Sequence, residues 1–86
     1  MTPPPFIELL PRDIEHSGRW LTELYRSHPR GGGRIAYLQN SLPGEARGHT
    51  IHVFDIDVVD EKEQLGECLL VTPSADHAIE IAGKTS

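Results

Sequence analysis

The stretch Thr50-Ile51-His52-Val53-Phe54-Asp55-Ile56-Asp57-Val58-Val59 decides how the chain is read. It is the longest run rich in β-branched and aromatic residues, and it holds neither Pro nor Gly. Such side chains suit a pleated, half-buried surface, so the stretch reads as a central strand. Side chains alternate faces along a strand. One face carries His52, Phe54, Ile56 and Val58 and is apolar for most of its length. The other carries Ile51, Val53, Asp55, Asp57 and Val59; it begins apolar and turns acidic. A strand covered on both faces at its start and open to water on one face at its end reads this way. A bulge near Phe54 is the alternative.

Downstream, Asp60 to Gln64 is polar and turn-like, and Leu65 to Thr72 reads as a second strand. Leu69 and Val71 fall on one of its faces, Cys68 and Leu70 on the other. Ser74 is then an N-cap, with Asp76 in the first helical turn where negative charge suits the helix dipole. Ala75, Ala78, Ile79 and Ala82 make a narrow apolar stripe, and Gly83 ends the helix. Upstream, Ile35 to Gln39 reads as a strand, joined to the central one by a loop, Leu42 to Gly48, with Pro43-Gly44 as its turn. Together these strands form an antiparallel meander.

Further toward the N-terminus, Arg30-Gly31-Gly32-Gly33-Arg34 is a connector. A phosphate-cradling loop follows a strand and opens a helix, and these glycines stand in the reverse order. Asp13 is a candidate N-cap for a helix reaching about Ser27 and stopped by Pro29; Ser17 would cap a shorter one. Ile14, Leu21, Leu24 and Tyr25 fall on one helical stripe, extended by Trp20, and Glu15–Arg19 is an i, i+4 pair. Gly18 weakens such a helix by about 1 kcal/mol relative to Ala. Phe6 to Leu10 is a short apolar run stopped by Pro11, an edge strand or a docking tail.

The expected fold class is therefore α+β. It has an antiparallel three- to four-stranded sheet with two helices packed on one face, in the order (β)-α-β-β-β-α. Residues 1–12 are an extended segment or edge strand, 13–83 a single α+β domain, and 84–86 a frayed tail. The order helix–three strands–helix resembles the layout of double-stranded RNA-binding domains. Those domains carry a basic Lys-Lys-x-x-Lys type cluster at the start of the last helix. Here that position reads Ser74-Ala75-Asp76-His77-Ala78-Ile79-Glu80, so the charge is reversed and RNA binding is not implied.

At 86 residues the chain is one domain with a small core. Leu, Ile, Val and Phe make up 22 of the 86 residues, above the roughly 20% below which disorder is expected. Net charge is −5 and uneven. Residues 1–48 hold five acids against six arginines, and residues 49–86 hold eight acids against two lysines. An acidic balance disfavours direct nucleic-acid binding, whose affinity comes mostly from phosphate contacts. The single cysteine, Cys68, excludes an internal disulfide and fits a reducing compartment. No apolar run approaches the roughly 20 residues that span a membrane, and Met-Thr-Pro-Pro-Pro is not a signal peptide, so the cytoplasm is expected.

No catalytic set is visible. The five histidines, His16, His28, His49, His52 and His77, form no His-x-x-x-His or Glu-x-x-His array. A lone strand cysteine is a small core residue far more often than a nucleophile. Six carboxylates, Asp55, Asp57, Asp60, Glu61, Glu63 and Glu67, lie within thirteen residues of strand and turn. A row of this kind imitates nucleic-acid phosphates and fits a basic groove on a protein partner; its plain counterpart is a solvated hairpin. The expected function is a non-enzymatic interaction module, an inhibitor or accessory subunit, that needs no cofactor and touches no membrane. Arg26, Arg30 and Arg34 form a secondary basic patch suited to an acidic partner. The alternative is a small metal-dependent enzyme or metal-binding protein using Asp55, Asp57 and a histidine, the two aspartates sharing a strand face roughly 7 Å apart. A homodimer paired through an open sheet edge is a third reading.

Overall fold

The structure, a computed structural model, describes residues 7–28, 32–40 and 50–84. Five strands come first: β1 (Asp13–His16), β2 (Arg19–Arg26), β3 (Arg34–Gln39), β4 (Ile51–Val59) and β5 (Lys62–Thr72). One helix, α1 (Ala75–Gly83), follows. The strands form one curled antiparallel sheet in sequence order, each pairing with the next. The middle position belongs to β3, whose Ile35, Ala36 and Tyr37 are all fully buried. The stretch expected to be central, β4, lies one place toward the edge.

The expected helix over 13–27 is overturned, and with it the two-helix α+β architecture and the layout shared with RNA-binding domains. That segment is the β1–β2 hairpin. Ser17 and Gly18 take φ of 54° and 77°, the left-handed pair of a two-residue turn whose twist matches that of the flanking strands. Ile14 and Leu21 do share a face, but as cross-strand partners rather than as neighbours on a helix. Glu15 stands opposite Trp20, and Arg19 opposite His16. A bulge between Glu23 and Tyr25 inserts Leu24 as an extra residue and turns Tyr25 to the opposite face. The bulge hides the period of two that would have marked the strand.

Gly18 supplies a sign test of this correction. In a helix, Gly18→Ala would stabilise by about 1 kcal/mol. In the hairpin, a Cβ at φ +77° has open space around it, so the substitution carries only the left-handed backbone penalty, about 1–2 kcal/mol of destabilisation. A lowered urea midpoint is the expected result.

The sheet has a core on each face. On the concave face Leu21, Ile35, Tyr37, Phe54 and Ile56 cluster, with Leu10, Ile14 and Leu65 packed against them. On the convex face Ala36, Ile51 and Val53 meet Ala78 and Ala82 of α1. Small residues on both surfaces let the helix lie close to the sheet. Ser74 caps α1, its hydroxyl accepting from the His77 N–H at 3.3 Å; Gly83 is the last helical residue and Lys84 the C-cap. The two-sided start of β4 is therefore real. The irregularities near Phe54 lie on the partner, because Val53, Phe54 and Ile56 pair with Leu70, Cys68 and Leu65, leaving the extra residues in β5. Bulges on the long edge strand make it a poor template for edge-to-edge pairing.

Residues 8–12 cross the concave side as a strap. Glu8 bridges β5 in parallel, donating to the Glu61 carbonyl and accepting from the Glu63 N–H, each at 3.1 Å. Four residues later the Arg12 carbonyl accepts from the Glu23 N–H of β2. The strap joins the two sides of the curl at one end, while β1 and β5 are not in contact. No helix among the described residues is long and apolar enough to cross a membrane. The expected loop over 42–48 lies outside the described residues, as do Phe6 and the last two residues of the tail.

Candidate functional site

The acidic row lies on the β4–β5 hairpin. β3 pairs with β4 only as far as Asp55, so the hairpin beyond it runs on as an arm, Asp57 to Gln64, with Glu8 bridged to its outer half at Lys62. A two-stranded ribbon is marginal by itself in water, so the arm needs anchoring. Glu63 supplies the anchor. Its buried carboxylate accepts from the Leu10 N–H at 3.0 Å, from the Gly32 N–H at 3.1 Å and from the Arg26 guanidinium. Arg26 also forks onto Glu23 Oε1, at 3.0 Å from Nε and 2.8 Å from Nη2, and donates to the Leu10 carbonyl. β2, β5, the strap and the Gly32 turn thus meet at one ion cluster. Burial pulls the Arg26 guanidinium down, and the hydrogen bonds and charges of Glu63 and Glu23 more than reverse this, leaving it above its ordinary value.

Tyr37 sits beside this cluster with its hydroxyl donating to the Pro11 carbonyl at 3.2 Å. Burial pushes its pKa up to about 12, with Arg26 pulling down and Glu23 and Glu63 pushing up. A phenol held this firmly neutral is a structural pin for the strap, not a proton donor near neutral pH.

Asp55 is the second carboxylate the fold uses. Its Oδ1 accepts from Arg34 Nε at 3.2 Å, and Arg34 Nη1 donates at 2.8 Å to the Ile81 carbonyl, which also accepts from the Lys84 N–H at the end of α1. The two charge patches read from the sequence are therefore partly each other's partners: Arg26 with Glu63, Arg34 with Asp55. Arg30 lies outside the described residues.

The other four carboxylates remain in water. Asp57, Asp60, Glu61 and Glu67 are exposed and form no ion pair among the described residues. Asp57 lies beside Gly66, where a Cβ would stand 3.0 Å from its Oδ2. Asp60 and Glu61 form the tip with φ of 52° and 63°. Aspartate tolerates the left-handed region, but glutamate is rarely placed there, so the arm carries local strain at its most exposed point. Between the acids, Val58 and Val59 are each 46% exposed. Lys62 reaches Glu8 at 3.8 Å, both exposed.

For the metal alternative, Asp55 and Asp57 do share a face, but Asp55 is engaged by Arg34. Among the described residues, no three His, Cys, Asp or Glu side chains are grouped to hold an ion. His49 lies outside those residues. Cys68 is exposed on the edge strand.

Sequence reasoning missed a cluster at the unstrapped end of the concave face. Phe54 is ringed by His16, edge-on with centroids 5.1 Å apart, by Tyr37, edge-on at 6.2 Å, and by His52, stacked at 6.3 Å. Gln39 Oε1 holds His52 Nε2 at 3.1 Å. The 52–54 spacing signalled part of this, but His16 joins only once Ser17-Gly18 is read as a turn.

Known relatives add nothing to this geometry. The chain matches no known protein family, no curated protein and no solved structure. The reading of the site rests on its own chemistry.

Proposed function

We propose that the protein is a non-enzymatic interaction module that presents the β4–β5 arm to a protein partner with a basic surface, as an inhibitor or accessory subunit. The observation that carries this reading is the division of the acidic row. Two carboxylates are spent on the fold, while Asp57, Asp60, Glu61 and Glu67 are exposed with no ion pair among the described residues, and Val59 is exposed on the face of Asp57. Apolar side chains ringed by unsatisfied charge are how an interface centre and its rim are built. The exposed acids steer a basic partner to the arm, and Val59, which shares its strand face with Asp57, supplies apolar area that loses water on contact. The strained tip agrees, since left-handed non-glycine residues persist where the chain needs a fixed shape.

The test is affinity capture with the wild-type chain, with the Asp57→Lys/Asp60→Lys/Glu61→Lys variant, and with a control reversing Asp13 and Glu80. A protein retained by wild type and control, released by moderate salt and lost by the arm variant is the expected outcome. Equal retention by all three chains refutes the arm as the contact.

A further inference from the structure

We propose that His16, Phe54 and His52 form an acid-released clasp that holds the β1–β2 hairpin over the open end of the concave core. The two imidazoles come from different hairpins and lie against one phenyl ring. Phe54 is only 1% exposed, although the sheet is open between β1 and β5 at this end. His16, next to the Ser17-Gly18 turn, is an exposed side chain that closes over it. With both rings neutral, the stack excludes water from Phe54. With both charged, two cations bracket one ring in a half-dry site, where their repulsion is only partly screened.

Among the described residues, the groups that face the two imidazoles carry no paired negative charge. Opposite His16 on β2 is Arg19, itself a cation. Facing His52 are Tyr37 and Gln39 of β3, and β5 contributes Val71 opposite His52 and Cys68 opposite Phe54. Asp13 and Glu15 of β1 are exposed, and among the described residues no carboxylate lies within ion-pair distance of either imidazole. Burial holds the His52 imidazole below the ordinary histidine value, and His16 pushes it the same way. A folded-state value below the unfolded one means that His52 contributes stability above about pH 6.5, and that this is lost as pH falls toward the folded value. Closing the clasp disfavours the charged form of His52, so acid favours the open form by up to about tenfold per pH unit over that window. The device is local, because the second core under α1 contains no histidine among its residues.

The experiment is amide hydrogen exchange by NMR at pH 7.5, 6.5 and 5.5, corrected for intrinsic rates, with side-chain titration of both histidines. The expected result is that protection of β1 amides falls toward pH 5.5, by up to about tenfold, while the β3 and β4 amides under α1 keep theirs. In His16→Asn, the His52 titration moves up toward the ordinary histidine value and the acid response of β1 shrinks. In His52→Gln, it disappears. Three results would overturn the clasp: flat β1 protection in the wild type, an undiminished response in both variants, or parallel loss of protection under α1, which would indicate global unfolding. If His52→Gln does not fold, the exposed His16→Asn variant decides alone.

Discussion

Glu63→Ala is expected to lower the unfolding free energy by about 3–5 kcal/mol, the range for removing one partner of a buried ion pair. The Arg26 side chain is only 10% exposed and would keep its charge with Glu23 alone as a carboxylate partner. The Leu10 and Gly32 N–H groups lose their acceptor at the same time. A domain this small holds on the order of 5–10 kcal/mol in total, so the variant should be partly unfolded near room temperature. Glu63→Gln keeps the shape and an acceptor oxygen but not the charge, and should cost about half as much. Pairing Glu63→Leu with Arg26→Met removes both charges, so the double variant should be less destabilised than the sum of the singles by at least about 1 kcal/mol. Chemical denaturation of the four chains measures this. Additive singles would mean that Arg26 and Glu63 do not depend on one another.

Phe54→Ala should be of the same size, about 3–5 kcal/mol, for a different reason. The ring is the meeting point of His16, Tyr37 and His52 on the concave face and packs in one cluster with Leu21, Ile35 and Ile56. An alanine leaves a cavity that three separate strands would have to collapse to fill. Phe54→Leu retains most of the volume and loses the ring contacts, so it should fold with a loss of about 1–2 kcal/mol. In that variant the His16 and His52 ring protons should also lose the ring-current shift imposed by the phenyl ring. Histidine shifts unchanged from wild type would contradict the ring cluster.

The parts of the fold visible in the sequence were those where one local signal dominates. β4 carries a run rich in β-branched residues, β3 and the second half of β5 are short apolar runs beside it, and Ser74 with Asp76 marks the start of α1. The N-terminal third failed because two signals compete there. Ile14, Leu21, Leu24 and Tyr25 match a helical period by accident of a bulge at Leu24, which resets the strand's own period of two. Ser17-Gly18 was the correct cue, since a Gly in second position suits a two-residue hairpin turn. The candidate site shows a different limit. Composition identified the acidic row and the arginine patch, but not that Arg26 and Arg34 would meet Glu63 and Asp55. Those contacts join residues 37 and 21 positions apart, Arg26 with Glu63 through the curl of the sheet and Arg34 with Asp55 through the β3–β4 register. Glu63 looks in sequence like its neighbours, and only its register opposite Val58, on the concave side, turns it inward.

That division of the acidic row is the central claim, and comparing two denaturant midpoints tests it most directly. Glu63→Gln should shift the midpoint down by an amount equivalent to about 1–3 kcal/mol. The triple variant Asp57→Asn/Asp60→Asn/Glu61→Gln removes three charges from the arm and should stay within about 0.5 kcal/mol of wild type. Its midpoint could even rise, because asparagine suits the left-handed turn and like charges at the tip are gone. A triple variant that loses as much stability as Glu63→Gln would show that the arm's carboxylates hold the fold, leaving none for a partner.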